Sequence, residues 1–266
     1  LPRHLSRICM PEPKLDFTLI AHRGYSFSAP ENSFEAFDMA LERGFNNFEL
    51  DAQITKDGRL VVFHDQTVDR VTDGSGQVSD HTLEELRALK LIGGYEFERD
   101  FPDAYIMSLD EFLGRYVGRA HPHLELKSRE AALPAMVAES LKRHGWLNVA
   151  DTGTFDAPGI TISSFWADQL YRSKLRLPNV RHGWLINELS EDTVDACVKL
   201  GFDSVYPRAG TATEESVGHA YDRGLTVRGW GIDNDDDMAR IYRSGAGGTT
   251  VNWPDEAEAF LQTLDE

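Results

Sequence analysis

Short apolar segments rich in β-branched residues alternate with amphipathic helical patterns along almost the whole chain of 266 residues. A strand followed by a helix, repeated many times, is typical of the βα units that build a parallel sheet. The sequence contains eight such units. Eight is the number that closes a TIM (β/α)8 barrel, and this chain length is common for such barrels. We therefore predict an α/β fold in which residues 1–266 form a single TIM-barrel domain.

A doubly wound open sheet is the alternative α/β architecture. It would be favoured by a Gly-x-Gly-x-x-Gly motif after the first strand or by a P-loop. The sequence has neither feature, so the barrel is the better prediction.

The first predicted strand is Asp16–Ala21. Asn32 then predicts the N-cap of a helix, with Glu35 as its capping-box partner, and Gly44 ends that helix. Regular alternation resumes after residue 121, with strands predicted at 123–126, 159–163, 181–186, 204–206, 225–230 and 248–251.

The second predicted strand, Asn47–Ile54, is followed almost at once by a third apolar run at 60–64. Only Asp57-Gly58 and a few neighbouring residues separate them, and a parallel crossover needs a dozen residues or more. We therefore predict a hairpin with antiparallel pairing, which folds His64 back beside the second strand.

Residues 66–121 interrupt the alternation. They contain a turn-rich piece, a helix predicted at 83–89, and a second helix at 109–116 that Ser108 and Glu111 cap. An insertion of this size on one face of a barrel usually shapes the mouth of a substrate site.

The composition excludes several classes of protein. Forty-four acidic and 27 basic residues give a formal charge of −17, which repels nucleic acid and anionic membrane surfaces. Cys9 and Cys197 lie too far apart to indicate a disulfide framework or a zinc site. No apolar stretch is long enough to span a bilayer, and residues 1–14 lack the apolar core of a signal peptide. Cytoplasm is the default expectation, and the oligomeric state stays open.

Polar side chains are concentrated where predicted strands end, at positions that share one rim of a barrel. Glu49 and Asp51 lie two apart on a strand, so they point to the same face and can converge with Glu125. Three carboxylates gathered there would repel one another unless a cation lies among them. Oxygen ligands suit Mg²⁺ or Ca²⁺ better than zinc, so we predict one divalent cation of this kind.

Arg23 follows the first predicted strand and Lys127 follows the strand at 123–126, so both lie at the rim beside this cluster. Two positively charged side chains beside a divalent cation form a pocket that suits phosphate. Two histidines, His22 and His64, can share the proton transfers, one at the attacking hydroxyl and one at the departing alkoxide. Each residue alone could form a structural salt bridge, but coincidence would have to explain four strand ends at once. The pattern predicts metal-assisted cleavage of a phosphodiester.

The joined pattern of these motifs resembles the glycerophosphodiester phosphodiesterase family. The motifs in chain order are Ala21-His22-Arg23-Gly24, Pro30-Glu31-Asn32-Ser33, Phe48-Glu49-Leu50-Asp51-Ala52-Gln53, Val61-Val62-Phe63-His64-Asp65, Asp69-Arg70-Val71-Thr72-Asp73-Gly74-Ser75-Gly76, Leu124-Glu125-Leu126-Lys127, Ser164-Phe165 and Trp230.

The resemblance implies a TIM barrel with a small helical insertion after the second strand, and hydrolysis of a glycerophosphodiester to glycerol 3-phosphate and an alcohol. It implies metal ligation by Glu49, Asp51 and Glu125, and acid–base catalysis by the two histidines. Phosphate or substrate binding falls to Arg23, Lys127, Phe165 and Trp230. Related enzymes suggest attack by the neighbouring glycerol hydroxyl and a cyclic phosphate that water opens. Which histidine is acid and which is base stays open.

Two stretches depart from the family pattern. Trp230-Gly231-Ile232-Asp233 replaces Trp-Thr-Val-Asn, and Val251-Asn252 stands where Thr-Asp is usual. Neither removes a proposed ligand or catalytic residue, so we expect them to affect the preferred headgroup.

Three alternatives remain. Lysophospholipids are the alternative substrates, favoured if residues 90–107 form an apolar mouth through Ile92, Tyr95, Phe97, Phe101 and Tyr105. A metal-dependent barrel enzyme that abstracts a proton beside a carbonyl would also cluster carboxylates, but it needs no matched second histidine. A non-catalytic binding barrel has no use for two proton-transfer groups beside a metal.

Overall fold

The computed structural model of the protein describes residues 17–92, 97, 100–148 and 153–265. In these ranges the chain forms nine strands and nine α-helices. The strands are β1 (Thr18–His22), β2 (Asn47–Ile54), β3 (Leu60–Val62), β4 (His121–Leu126), β5 (Thr161–Ser164), β6 (Arg181–Ile186), β7 (Ser204–Pro207), β8 (Thr226–Val227) and β9 (Gly248–Val251). The helices are α1 (Phe34–Glu42), α2 (Leu83–Arg87), α3 (Leu109–Tyr116), α4 (Leu133–Arg143), α5 (Ala167–Arg176), α6 (Glu191–Leu200), α7 (Glu214–Asp222), α8 (Asp235–Arg243) and α9 (Pro254–Leu264).

Eight of the strands form one parallel sheet in the order β8, β7, β6, β5, β4, β2, β1, β9. The two ends of this sheet meet at Gly229, which bridges Thr249, and the backbone N–H of Gly229 donates to the carbonyl of Gly248 (2.8 Å). An eight-stranded parallel sheet that meets its own edge, with alternating helices, is a TIM barrel. The predicted fold is confirmed.

The hairpin after β2 is present as predicted. β3 pairs with β2 in antiparallel register, with Ile54 opposite Leu60, and lies outside the parallel path. Gly58 has a φ of +70°, a backbone conformation that glycine adopts without steric cost. The residues that follow β3 are thereby brought to the rim where β2 ends.

The chain has a main hydrophobic core and a second, smaller one. The main core fills the space between the barrel and its helices, and it includes α3 through Phe112, Leu113 and Tyr116. The smaller core lies under the segment between β3 and α3, and its members are Val61, Phe63, Val68, Val71, Val78, Leu83, Leu86 and Ile106. This second core holds the inserted segment against the rim after β2.

Two local predictions are wrong. The N-cap of α1 is Ser33, whose Oγ accepts from the backbone N–H of Ala36 (3.2 Å), and Asn32 has a φ of +56°, which an N-cap residue does not adopt. The strand predicted at 225–230 is regular only over Thr226–Val227. After Val227 the pairing changes to Gly229, where a Cβ would lie 2.7 Å from the side chain of Ile241. The predicted strand residue Asp16 lies outside the described residues.

No helix in the described parts of the chain combines the length and the apolar character that a membrane crossing requires.

Candidate active site

Three carboxylates meet at the carboxyl ends of β2 and β4. The strand register places Asp51 beside Glu125 and His22 beside Glu49. Glu49, Asp51 and Glu125 are all buried, and each offers an oxygen within 4.8 Å of the others. The cluster has the composition and spacing of an oxygen-ligand metal site.

The ionisation of these carboxylates is strongly perturbed. Burial raises the pKa of Glu49 well above its usual range, and repulsion from Asp51 and Glu125 adds to that shift. Burial likewise raises the pKa of Glu125 to about 7, although Lys127 opposes it. Burial alone would raise the pKa of Asp51 too, but Lys127, His64 and Arg23 hold it below the usual range. Three buried carboxylates of this kind need a further cation before all can be charged.

A divalent cation suits this donor set. All three groups are hard oxygen donors, which is the chemistry of Mg²⁺ and Ca²⁺ sites. Asp51 Oδ1 is buried without a hydrogen-bond partner among the described residues. An unpartnered carboxylate oxygen in a cluster of three buried carboxylates is consistent with the binding of such an ion.

Arg23 and Lys127 lie against the same cluster. Lys127 Nζ is 3.1 Å from Glu125 Oε1 and 3.7 Å from Asp51 Oδ1. Arg23 Nε is 3.7 Å from Asp51 Oδ2, and its Nη1 donates to Glu31 Oε1 (2.9 Å). Both cations are therefore already paired with carboxylates.

The turn after β1 depends on a close backbone approach. Arg23 has a φ of +57°, and Gly24, with a φ of +78°, follows it. A Cβ on Gly24 would lie 2.6 Å from the backbone carbon of Ala36, so only glycine fits. Asn32 returns to the site from the next turn and donates from Nδ2 to Asp51 Oδ2 (3.0 Å).

His22 is held by an amide. Its Nδ1 lies 2.6 Å from Asn252 Oδ1, and Ser26 Oγ donates to the same oxygen (3.0 Å). An amide oxygen only accepts, so Nδ1 carries the proton and Nε2 presents its lone pair, 3.7 Å from Glu49 Oε2. Burial, and next the charge of Arg23, lower the pKa of His22 to about 3. The imidazole is neutral at ordinary pH.

His64 is held by a carboxylate instead. Its Nδ1 is 2.5 Å from Asp65 Oδ1, although burial keeps the pKa of His64 below its usual value. Arg70 Nε donates to the other oxygen of Asp65 (2.5 Å), and its two terminal nitrogens donate to Glu31 (2.9 and 2.7 Å). Arg70 thus connects the support of His64 to that of Arg23, because Glu31 also binds Arg23.

The predicted site residues surround one cavity of about 220 Å³. Phe165 and Trp230 close one side of it with their rings edge to face, 4.9 Å between centroids. The lining includes His22, Arg23, Glu49, His64, Glu125, Lys127, Phe165 and Trp230, and Asp51 lies behind it in the carboxylate cluster. A larger open hollow of about 720 Å³ shares Glu125, Lys127 and Phe165 with this cavity. The structure brings together every residue that the sequence assigned to the site.

Several residues at the site had no assigned role. Glu31, Asp65 and Arg70 lie inside the motifs noted in the sequence, and their charges were the available signal. Asn252 was expected to affect the headgroup, but its side chain contacts His22. The sequence predicts Arg228 only as a residue of the strand at 225–230. Its charge, two positions before Trp230 on the same face of that strand, was the available signal of a role in the site.

Comparison with known proteins agrees with this geometry. The model of the glycerophosphoryl diester phosphodiesterase family matches residues 22–256. The glycerophosphodiester phosphodiesterase of Caldanaerobacter subterraneus subsp. tengcongensis is 32% identical over 89% of this chain and 94% of that protein. The glycerophosphodiester phosphodiesterase of Bacillus subtilis is 30% identical over 89% of this chain and 83% of that protein.

Solved structures share the fold. The glycerophosphodiester phosphodiesterase of Agrobacterium tumefaciens superposes with a TM-score of 0.73 at 26% identity, covering 91% of this chain and 99% of the other. An Oleispira antarctica phosphodiesterase in complex with the product sn-glycerol-3-phosphate has a TM-score of 0.79 at 23% identity, covering 92% and 96%. Fold and matches together define a TIM-barrel phosphodiesterase.

The chain belongs to the glycerophosphoryl diester phosphodiesterase family. The predicted enzyme class, a hydrolase that acts on glycerophosphodiesters, is confirmed by this membership.

Proposed function

We propose that the protein splits glycerophosphodiesters into glycerol 3-phosphate and an alcohol, with one divalent cation and two histidines in the site. The observation that carries this proposal is the buried cluster of Glu49, Asp51 and Glu125, whose oxygens lie within 4.8 Å of one another beside two cations and two histidines. The product that accompanies the Oleispira antarctica phosphodiesterase, sn-glycerol-3-phosphate, supports the choice of product.

The three carboxylates would hold Mg²⁺ or Ca²⁺. Such an ion, when bound, neutralises the cluster and stabilises negative charge on phosphate oxygens. The same cluster also binds Lys127 and Arg23 at distances of 3.1 to 3.7 Å, so the cations stand next to the place where a phosphate would lie. Arg23 and Lys127 are our proposed phosphate ligands, with Phe165 and Trp230 against the less polar part of the substrate.

The two histidines have different supports, and we use that difference to assign their roles. His22 is neutral and offers Nε2, so it takes the proton of the attacking hydroxyl as general base. His64 is backed by the carboxylate of Asp65, which stabilises a protonated ring, so it delivers a proton to the departing alkoxide. If the neighbouring glycerol hydroxyl attacks first, the roles reverse when water opens the cyclic phosphate.

Lysophospholipids remain the alternative substrates. The apolar mouth expected from residues 90–107 is only partly supported. Ile92 is 65% exposed, but Tyr105 packs against the main core, and Phe97 and Phe101 pair with each other, 5.5 Å between centroids. Tyr95 lies outside the described residues. The cavity of about 220 Å³ suits glycerol and phosphate, whereas the adjoining open hollow of about 720 Å³ has room for a larger group. Family membership also favours phosphodiester hydrolysis over abstraction of a proton beside a carbonyl.

The test measures the release of glycerol 3-phosphate from glycerophosphocholine and glycerophosphoethanolamine, and of acylated glycerol 3-phosphate from lysophosphatidylcholine, with Mg²⁺ or Ca²⁺ and with a chelator. We expect release from the first two that the chelator abolishes. No release from any of the three in either metal would overturn the proposal.

Variants separate the roles of the site residues. His22→Ala and His64→Ala should lose activity and keep metal binding, whereas Glu49→Gln and Asp51→Asn should lose metal binding. His81→Ala is the matched control, because His81 lies outside the cavity and bonds the carbonyl of Gln77. A fully active His64→Ala variant would contradict the acid–base pair.

A further inference from the structure

A third cation lies at the floor of the cavity. Arg228 follows β8 and is 1% exposed, yet it lines the same cavity of about 220 Å³ as His22 and Glu49. Trp230, two residues further along the chain, lines the same cavity, so both side chains point into it. The site therefore contains a buried guanidinium that neither the motifs nor the proposed roles use.

The aromatic support of Arg228 is built by the barrel itself. Its guanidinium lies 4.0 Å over the ring of Tyr206. Gly183 makes room for that ring, since a Cβ there would lie 2.1 Å from two of its carbons. The ring attracts the cation and holds its plane, but it supplies no negative charge.

Arg228 has no carboxylate within 4.0 Å among the described residues, in contrast to Arg23 and Lys127. Its Nη1 lies 3.4 Å from the carbonyl of Gly229, and its Nε is buried with no hydrogen-bond partner in the described parts of the chain. A buried charge without a counter-ion is unfavourable unless something completes it.

The surrounding side chains do not complete it. His123 Nδ1, Ser163 Oγ and the hydroxyl of Tyr206 are also buried without partners among the described residues. Water could satisfy neutral polar atoms of this kind, but a charge calls for an anion.

We propose that Arg228 binds an anionic oxygen of the substrate phosphate from the floor of the cavity, as a third phosphate ligand. This inference rests on the proposed function. Lys127 and Arg23 each have a carboxylate partner before the substrate binds, Glu125 and Glu31, whereas Arg228 has none among the described residues. A planar guanidinium held on a ring can donate two hydrogen bonds to one phosphate.

The experiment measures binding to the Mg²⁺-loaded protein by calorimetry, with glycerol 3-phosphate, inorganic phosphate and glycerol as separate ligands. Arg228→Met should raise the Kd of glycerol 3-phosphate and of phosphate about tenfold or more. The Kd of Mg²⁺ should stay within about threefold, since Arg228 does not contact the carboxylates. Arg228→Lys keeps the charge and should restore part of the affinity. Arg143→Met, at an exposed arginine of α4 that does not line the cavity, is the matched control, with a Kd within about threefold of the wild type.

Each outcome decides a different question. A wild-type protein that neither hydrolyses glycerophosphodiesters nor binds glycerol 3-phosphate overturns the proposed function. A wild type that does both, with an unchanged Kd in folded Arg228→Met, overturns only the role of Arg228. Loss of glycerol 3-phosphate binding with phosphate binding unchanged would place Arg228 on the glycerol instead and also refute the proposal.

If Arg228→Met does not fold, Arg228→Gln replaces it under the same criterion. The wild type offers a second readout. The ¹⁵Nε–H resonance of Arg228, assigned by its absence in Arg228→Lys, should shift when phosphate or glycerol 3-phosphate is added and stay unchanged with glycerol. An unchanged resonance with both anions would refute the contact.

Discussion

The hydrogen bond between Asn252 and His22 gives the sharpest prediction about catalysis. Asn252→Ala removes the acceptor that lies 2.6 Å from His22 Nδ1, and it leaves the three carboxylates untouched. The ring then loses its fixed tautomer, and Nε2 no longer presents its lone pair all the time. A buried hydrogen bond is worth about 1 kcal/mol net, and about 1.4 kcal/mol is tenfold in rate. We expect kcat/KM to fall about five- to tenfold.

The assay is kcat/KM for glycerophosphocholine, together with the Kd of the activating metal. The metal Kd should not change, because the Asn252 amide oxygen binds His22 and Ser26, and the variant keeps all three carboxylates of the cluster. Asn179→Ala, an exposed asparagine remote from the cavity, is the control. A kcat/KM of Asn252→Ala within about twofold of the wild type would refute the claim that Asn252 positions His22.

Asn252→Asp tests the same contact by placing a negative charge beside His22 Nδ1 in place of the neutral amide. A carboxylate stabilises the protonated imidazole, so the pKa of His22 rises from its lowered value of about 3. Because a general base must be unprotonated, activity at acid pH should be lost at a higher pH than in the wild type. An acid limb that does not move would show that residue 252 does not act on the imidazole.

Three further predictions concern other parts of the molecule. Metal affinity should weaken as pH falls below about 7, because the pKa of Glu125 is raised to about 7 and protons then compete with the metal for its carboxylate. Metal titrations at pH 6 and pH 8 measure this change, and equal Kd values would contradict the prediction. Arg70→Ala should lower kcat more than it raises KM, because the substitution removes the hydrogen bonds that hold Glu31 and Asp65. Steady-state kinetics test this prediction, and a change in KM alone would contradict it. Burial lowers the pKa of His182 to about 4, so the unfolded state binds the proton at a higher pH than the folded state. The free energy of unfolding should therefore fall by up to about 3 kcal/mol as pH drops from about 6.5 toward 4. In denaturation experiments over that range, the free energy of unfolding of His182→Gln should depend less steeply on pH.

The fold could be predicted because its signals are local. Strand and helix periods alternate in the sequence, and Asp57-Gly58 is too short a connection for anything except a hairpin. The members of the site could be predicted for a related reason. Parallel strands deliver the residues at their carboxyl ends to one rim, so Glu49, Asp51 and Glu125 had to meet once the barrel closed.

The contacts between segments could not be predicted in the same way. Asn32 follows a turn with the sequence signals of an N-cap, and only the path of the chain shows that its positive φ turns its amide toward Asp51. Arg70 reaches Glu31 across 39 residues of sequence, which no local pattern encodes. Whether a cation has a carboxylate partner is likewise a property of the assembled barrel. Among the residues that the structure describes, Arg23 and Lys127 have such a partner and Arg228 has none.

The two histidines show why the partner decides the chemistry. In the sequence, each is a histidine at the end of an apolar run. Asp65 directly follows His64, but adjacency alone does not show that its carboxylate bonds the ring. In the barrel, His22 faces the neutral amide of Asn252, the residue after β9, which fixes its tautomer without favouring a proton on Nε2. His64 faces Asp65, whose charge Arg70 holds in place from the inserted segment. Burial lowers the pKa of both rings, but only His64 has a carboxylate bonded to its Nδ1. The asymmetry that acid–base catalysis needs therefore comes from the residues behind the histidines.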